Sequence, residues 1–225
     1  KAVHLFKDVG AECRWDGELI AAVAAERPEQ ADDGVRALKA ALKFEVLEHF
    51  VDEEDLKAGK AAGRDKDLGT NTKGDFAAAK KAAKVVSTGY YGIHTITHCC
   101  LETHGSHCEW TAGDAIDVHL STQNVSGTAG QLAGPLGVDA ANVSLTCDYI
   151  GGGFGSKFAA DEWDLACAKM AKETGRPVRL MLDRATELKI GGNRPSGFRS
   201  EERRVGKECS SRWSPYQEKK KKKKL

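Results

Sequence analysis

The residue types best suited to chemistry in this chain lie in residues 118–157, which open with VHLSTQN and close with DYIGGGFGSK. Gly151, Gly152, Gly153 and Gly155 surround Phe154, and Ser156 and Lys157 follow. Glycines admit positive φ and close backbone approach, and free N–H groups running from a strand into a helix terminus favour negative charge. The β-rich run VSLTCDYI (143–150) predicts the strand, and an amphipathic helix is expected directly after the loop. Three glycine loops of known mechanics do not fit. A Walker loop ends in Gly-Lys-Ser/Thr, whereas Ser156 precedes Lys157 and Phe158 follows it. A dinucleotide fingerprint started at Gly151 requires glycine at Ser156, and the kinase loop fails in the same way. A nucleotide- or phosphate-binding module built on residues 151–155 stays open as one alternative.

A second candidate is a knot of soft ligands: His94, His98, Cys99, Cys100, His104, His107 and Cys108. Cys and His are the ligands of structural zinc, so a zinc-supported interaction domain is another alternative. Against it, no CxxC pair occurs, and alternation along a strand sends neighbouring side chains to opposite faces. Buried structural residues are the simpler reading, with a cofactor contact by His104 also open.

The motifs gain meaning in their order. GGGFG is followed by one residue and Lys157, STQ precedes it, Leu101-Glu102-Thr103-His104 lies upstream, and GRPVRLMLDR (175–184) lies downstream. This arrangement resembles the molybdenum-cofactor domain of the xanthine dehydrogenase and aldehyde oxidase family, the molybdenum hydroxylases. The resemblance implies a fragment of an oxidoreductase that hydroxylates an electrophilic carbon with oxygen from water. It implies a molybdenum cofactor, either molybdopterin or its cytosine dinucleotide form, with 2Fe-2S clusters and FAD on other domains or subunits. It places Gln123 beside the molybdenum without direct ligation. The backbone of Gly152, Gly153 and Gly155 lies against the cofactor, and Phe154 lies at the active centre on the substrate side.

Two departures from the family pattern bear on function. Purine hydroxylases of the family carry a glutamate directly after the loop lysine, and here that place is Phe158. A carboxylate accepts hydrogen bonds from a purine, whereas phenylalanine offers an apolar or stacking wall. An aldehyde or another aromatic N-heterocycle is therefore the expected substrate. The family's general-base glutamate is expected beyond residue 198; Glu162, Glu173 and Glu187 do not match its motif, so no catalytic base is assigned.

From the N-terminus, AVHLF and ELIAAVAA read as strands, EQADDGVRALKAALK as a helix with Pro28 in its first turn, and FEVLEHF (44–50) as a returning strand. This β-α-β pattern resembles the end of the hammerhead domain that precedes the cofactor domain in the family. The fold class expected is α+β, with residues 1–50 as the hammerhead end and 51–81 as a linker. Residues 82–198 form the first part of a mixed α/β cofactor-binding domain. Within it, HCEW-TAGDA-IDVHLSTQ predicts a hairpin that leaves Gln123 at a strand end, and DEWDLACAKMAKET predicts a helix with Trp163, Ala166, Cys167, Met170 and Ala171 on one stripe. A shorter helix is expected from Phe76, capped by Asp75.

Residues 199–225 read RSEERRVGKECSSRWSPYQEKKKKKKL, which resembles adapter read-through ending in a translated poly-A stretch. A disordered tail without packed contacts is expected there, so that truncation after Phe198 leaves the melting temperature unchanged. The tail holds 11 of the 34 basic and 4 of the 33 acidic residues, so the formal charge of +1 conceals a remainder of net −6. Nothing in that acidic remainder recommends a nucleic-acid partner. No apolar run approaches the ~20 residues of a membrane span. The chain starts at Lys1 and reads as cut from a longer one. Seven irregularly spaced cysteines suit reduced thiols and a cytoplasmic setting, with a periplasmic one open because no signal region is present.

Overall fold

The computed structural model describes residues 1–48, 71, 73–195 and 197–205. They fall into two compact units, one built from 1–44 and 94–196 and the other from 45–93 and 197–205. The first unit begins with β1 (Ala2–Leu5) and β2 (Ala21–Ala24), paired antiparallel, and helix α1 (Pro28–Ala41). The second contains helix α2 (Phe76–Lys81), whose first turn is capped by the Asp75 carboxylate accepting from the Ala78 N–H at 2.9 Å. It also contains strand β3 (Val85–Ile93).

The centre of the first unit is a four-stranded sheet of β5 (Gly105–Trp110), β6 (Ile116–Leu120), β7 (Val143–Thr146) and β8 (Val178–Met181) in the order β7-β6-β5-β8. The β5–β6 hairpin forms as its sequence predicts, closed by Thr111 N–H to Ala115 O at 3.0 Å. Along β6, Ile116, Val118 and Leu120 are buried while Asp117 and His119 are exposed. That alternation directs one face toward helices α3 (Val125–Leu136) and α4 (Glu162–Thr174). Cys108, Ile116, Val118, Leu132, Val143 and Cys167 fill the space between sheet and helices. The stripe Trp163, Ala166, Cys167, Met170 and Ala171 is buried throughout, and Gly175 ends the helix in the left-handed conformation. Within that stripe, Ala166 and Met170 pack against Ala2, Phe6 and Ala22 of the β1–β2 region.

Strand directions decide where the motifs meet. β6 and β7 run parallel, joined through α3, whereas β5 runs antiparallel to both β6 and β8. The start of β5 and the ends of β6, β7 and β8 therefore lie on one edge of the sheet. Residues 101–104, 121–124, 147–157 and 182–192 all leave from that edge. Loops at the carboxyl ends of parallel strands are the usual place for ligands in open sheets.

Several expectations need correction. The strand expected at 44–50 is absent from 44–48, and residues 49–50 lie outside the described residues. Phe44 and Val46 are exposed, and the β1–β2 pair gives them no ladder partner. The 143–150 strand ends at Thr146, because only Val143–Thr146 finds register with β6. The expected tail also begins too early. Helix α5 (Arg184–Ile190), β4 (Ile96–Thr97) and β9 (Asn193–Arg194) are followed by β10 (Gly197–Val205), which pairs with β3 from Gly197 opposite Ile93 to Val205 opposite Val85. The lack of an apolar period misled there, because a ladder is made by backbone N–H and C=O groups that any sequence carries. The charged stretch 51–70, Cys209 and the lysine run lie outside the described residues.

Truncation after Phe198 is accordingly not silent, since it removes seven of the nine residue pairs that hold β3. Amide exchange across Val85–Ile93 should accelerate while the β5–β6 amides keep their protection; unchanged β3 protection would show the pairing to be dispensable.

Candidate functional site

The site is assembled at the sheet edge by hydrogen bonds between motif residues. Gln123 follows β6, and its backbone N–H donates to Lys157 O at 2.7 Å. Its side-chain Oε1 accepts from the Gly155 N–H at 2.9 Å and the Lys157 N–H at 3.4 Å. With the oxygen committed to the loop, the amide Nε2 is the free donor, and no partner faces it among the described residues. Thr122 Oγ1 adds a bond to Lys157 O at 3.0 Å, so STQ and GGGFG-S-K are joined along three consecutive residues.

The loop conformation explains its glycines. A Cβ on Gly153 would stand 2.3 Å from Gln123 Oε1, so the close approach of the glutamine requires glycine there. Gly155 has φ +100, a region open to glycine alone, although space around it is free. Between them Phe154 takes φ +52, which costs a residue with a Cβ roughly 1–2 kcal/mol. Strain of this kind is retained where surrounding bonds over-determine it. Phe154 is 64% exposed and Phe158 54% exposed, so both present apolar surface outward. The Phe158 backbone is anchored by Asn124 Nδ2 donating to its carbonyl at 3.3 Å.

Beneath the loop lies the bond set that sequence reasoning missed. Lys157 is 1% exposed, and its ammonium donates to Glu102 O at 2.9 Å and Ser121 Oγ at 2.8 Å, with Glu102 Oε2 at 3.3 Å. Glu102 Oε2 also accepts from the Ser121 hydroxyl and the Gly151 N–H, each at 2.7 Å. Burial pushes the Glu102 carboxyl up, but the Gly151 N–H, the Ser121 hydroxyl and the Lys157 ammonium outweigh it and hold the group below its usual range. The available signal was the pairing of one acid in LETH with one base after the glycine loop.

A further buried contact closes the collar. His104 Nδ1 lies 2.9 Å from both carboxylate oxygens of Glu187, the His104 backbone N–H donates to Glu187 at 2.8 Å, and Nε2 lies 3.3 Å from Ser156 O. Arg184 donates to Cys100 O at 2.6 Å and Leu101 O at 2.7 Å, gripping the same segment from α5. His104 is thus a structural partner of Glu187, and Glu187 is engaged rather than presented as a base.

Two alternatives lose their footing. The helix expected over residues 161–174 begins at Glu162, apart from the glycine loop, and its first turn holds Glu162 and Asp164, with Asp164 Oδ2 accepting the Asp161 N–H at 3.0 Å. Acids already occupy the helix terminus that a phosphate would need. Among the described residues, no three His, Cys, Asp or Glu side chains are placed to hold a metal ion. His107 is exposed while Cys108 is buried, the alternation that separates the soft ligands.

A family model described as the molybdopterin cofactor-binding domain matches residues 61–199. The chain belongs to that family. It is 33% identical over 182 residues to the xanthine dehydrogenase/oxidase of Mus musculus, covering 79% of this chain and 13% of the relative. It is 27% identical over 187 residues to the nicotinate dehydrogenase large molybdopterin subunit of Eubacterium barkeri, covering 79% of this chain and 42% of that one. The fold resembles the crystal structure of quinoline 2-oxidoreductase from Pseudomonas putida 86, with a TM-score of 0.58 and 21% identity over 76% of this chain and 22% of that chain. The chain therefore spans a small part of its relatives' length and has a mixed α/β fold found in molybdenum hydroxylases. Among the described residues, no helix is long and apolar enough to cross a membrane.

The acids at the head of α4 carry a pH dependence of their own. Burial, then the neighbouring Asp164, Glu162 and Glu187, raise the Asp161 carboxyl to about 7. The folded chain keeps this proton up to that pH, whereas the unfolded chain loses it near the ordinary value of 3.8. Folding is thus favoured by the retained proton at low pH, and that contribution falls as pH rises to about 7. Asp161→Asn should flatten the decline in melting temperature between these limits; an identical pH profile in the variant would refute the assignment.

Proposed function

We propose that this chain is a segment of a longer molybdenum hydroxylase, in which residues 94–195 contribute one wall of the cofactor site. The observation that carries the reading is the Gln123 amide. Its oxygen is fixed by the loop N–H groups and its nitrogen is left as a donor beside Gly152–Gly155, in a cradle that a Cβ on Gly153 would fill. The donor set fits the molybdenum cofactor: backbone glycines admit a flat pterin closely, and one neutral donor suits a polar atom of the group. Gln123 would orient the cofactor without ligating the metal, the backbone of Gly152, Gly153 and Gly155 would lie against it, and Phe154 and Phe158 would face the substrate. When bound, the cofactor supplies the two-electron chemistry that places water-derived oxygen on an electrophilic carbon.

The substrate class follows from Phe158. Its exposed ring cannot accept the hydrogen bonds that a purine offers, which supports an aldehyde or an aromatic N-heterocycle. The names of relatives do not choose among substrates, since they include xanthine, aldehyde and nicotinate enzymes. The wider proposal has 2Fe-2S and FAD domains or subunits receiving the electrons and a cytoplasmic enzyme. It has either pterin form, residues 1–50 as the end of a hammerhead-type domain, and residues 82–198 as the start of the cofactor domain. The base would come from another part of the parent polypeptide.

The test is made in that parent polypeptide. Gln123→Ala should retain molybdenum and lose roughly a hundredfold in turnover, about 3 kcal/mol of a bond felt mainly in the transition state. Phe154→Ala should retain the metal and alter affinity and substrate choice as well as rate. Gly153→Val should lose molybdenum, because its side chain displaces Gln123 from the loop. Full metal loading and wild-type kinetics in all three variants would overturn the reading.

A further inference from the structure

A lysine that is 1% exposed is an unusual choice for holding a loop. Taking an ammonium out of water is expensive, and well-packed apolar residues in place of a buried ion pair are often neutral or stabilising. Stability alone would be served by methionine at this position. What the lysine achieves is connectivity. Its ammonium reaches only motif residues, Glu102 and Ser121, and Glu102 in turn holds the Gly151 N–H at 2.7 Å. Its backbone engages Gln123 twice, accepting the Gln123 N–H at 2.7 Å and donating to Oε1 at 3.4 Å. The side chain thus fixes the first glycine of the loop and the residue two before Gln123, while the main chain fixes Gln123 itself.

We propose that Lys157 is the positioning residue of the site: its buried ammonium, acting through Glu102 and Ser121, sets the place of Gly151 and the direction in which the Gln123 amide is presented. The proposal rests on Gln123 and the loop being the cofactor site. It does not require Lys157 to touch cofactor or substrate. A full charge is used because one Nζ satisfies three acceptors drawn from two segments far apart in sequence. It also keeps Glu102 ionised, so that the carboxylate can accept from Gly151 and Ser121 together.

Two variants separate positioning from stability in the chain as it stands. Lys157→Met removes the ammonium, and Lys157→Met with Glu102→Leu removes the pair together so that no charge is left unpartnered. Thermal unfolding reports the fold, and amide exchange by NMR reports the loop. In both variants, exchange at the Gly151, Gly155 and Gln123 backbone N–H groups should accelerate about tenfold or more, while Cys108 and Val118 stay protected. The double variant should melt at or above the wild-type temperature. If its loop amides exchange within about twofold of wild type, or if β5 and β6 lose protection in parallel with the loop, Lys157 serves stability alone and the proposal fails. The parent polypeptide supplies the second arm, read as molybdenum per chain. Metal in wild type with a clear loss in the double variant supports positioning, whereas equal loading in both overturns it. A wild-type parent without molybdenum would instead defeat the assignment of the cofactor site, and the exchange measurements would still decide the role of Lys157.

Discussion

A single ammonium buried under a glycine loop is the contact on which this arrangement depends. Lys157 Nζ ties Glu102 to Ser121, and Glu102 ties that pair to Gly151. Each partner leaves the sheet from a different strand, so the bond set would be impossible in most topologies. It becomes possible because β6, β7 and β8 run in one direction while β5 runs against them. One edge then collects the start of β5 and the ends of the other three. The fold contributes the coincidence of segments, and the charge fixes their spacing.

Polar burial at this edge is concentrated around the site rather than scattered. Lys157, His104 and Glu187 are all buried, and each is bonded to a residue that leaves the same edge. A buried pair is weak evidence for stability, because desolvation can exceed the attraction gained. It is better evidence for a defined geometry, since each member has one arrangement that satisfies it. The strained Phe154 fits this account. Its left-handed backbone is tolerated because Gly155 and Lys157 on its far side are bonded to Gln123, and Gly151 on its near side is bonded to Glu102.

Much of this was legible in the sequence, and the reasons differ by element. The β5–β6 hairpin and helix α4 follow from period-2 and period-3.6 patterns that burial then reproduced. The motif order pointed to the family because glycine, glutamine and phenylalanine at those places are poorly explained by packing. The strand at 44–50 and the end of β7 were misplaced because ladder partners are not written in local composition. Residues 199–205 were misjudged for the related reason that pairing uses the backbone. The Lys157 network was hidden in a different way. Glu102 and Lys157 are 55 residues apart, and nothing local distinguishes a buried cation from a solvated one.

The helix that follows the loop shows how the site differs from a phosphate-binding turn built on similar residues. In such a turn, glycines run directly into a helix whose free N–H groups attract the anion. Here residues 156–161 intervene, and the terminus of α4 is taken by Asp161, Glu162 and Asp164. Burial raises both Asp161 and Asp164, so this end of the helix resists gathering further negative charge. The donor that remains open is the neutral Gln123 amide, held by backbone on one side and open on the other. A neutral donor over glycine backbone favours orientation of a group by hydrogen bonding and close contact rather than by charge. That preference, more than the glycine count, separates this loop from the nucleotide-binding loops it superficially matches.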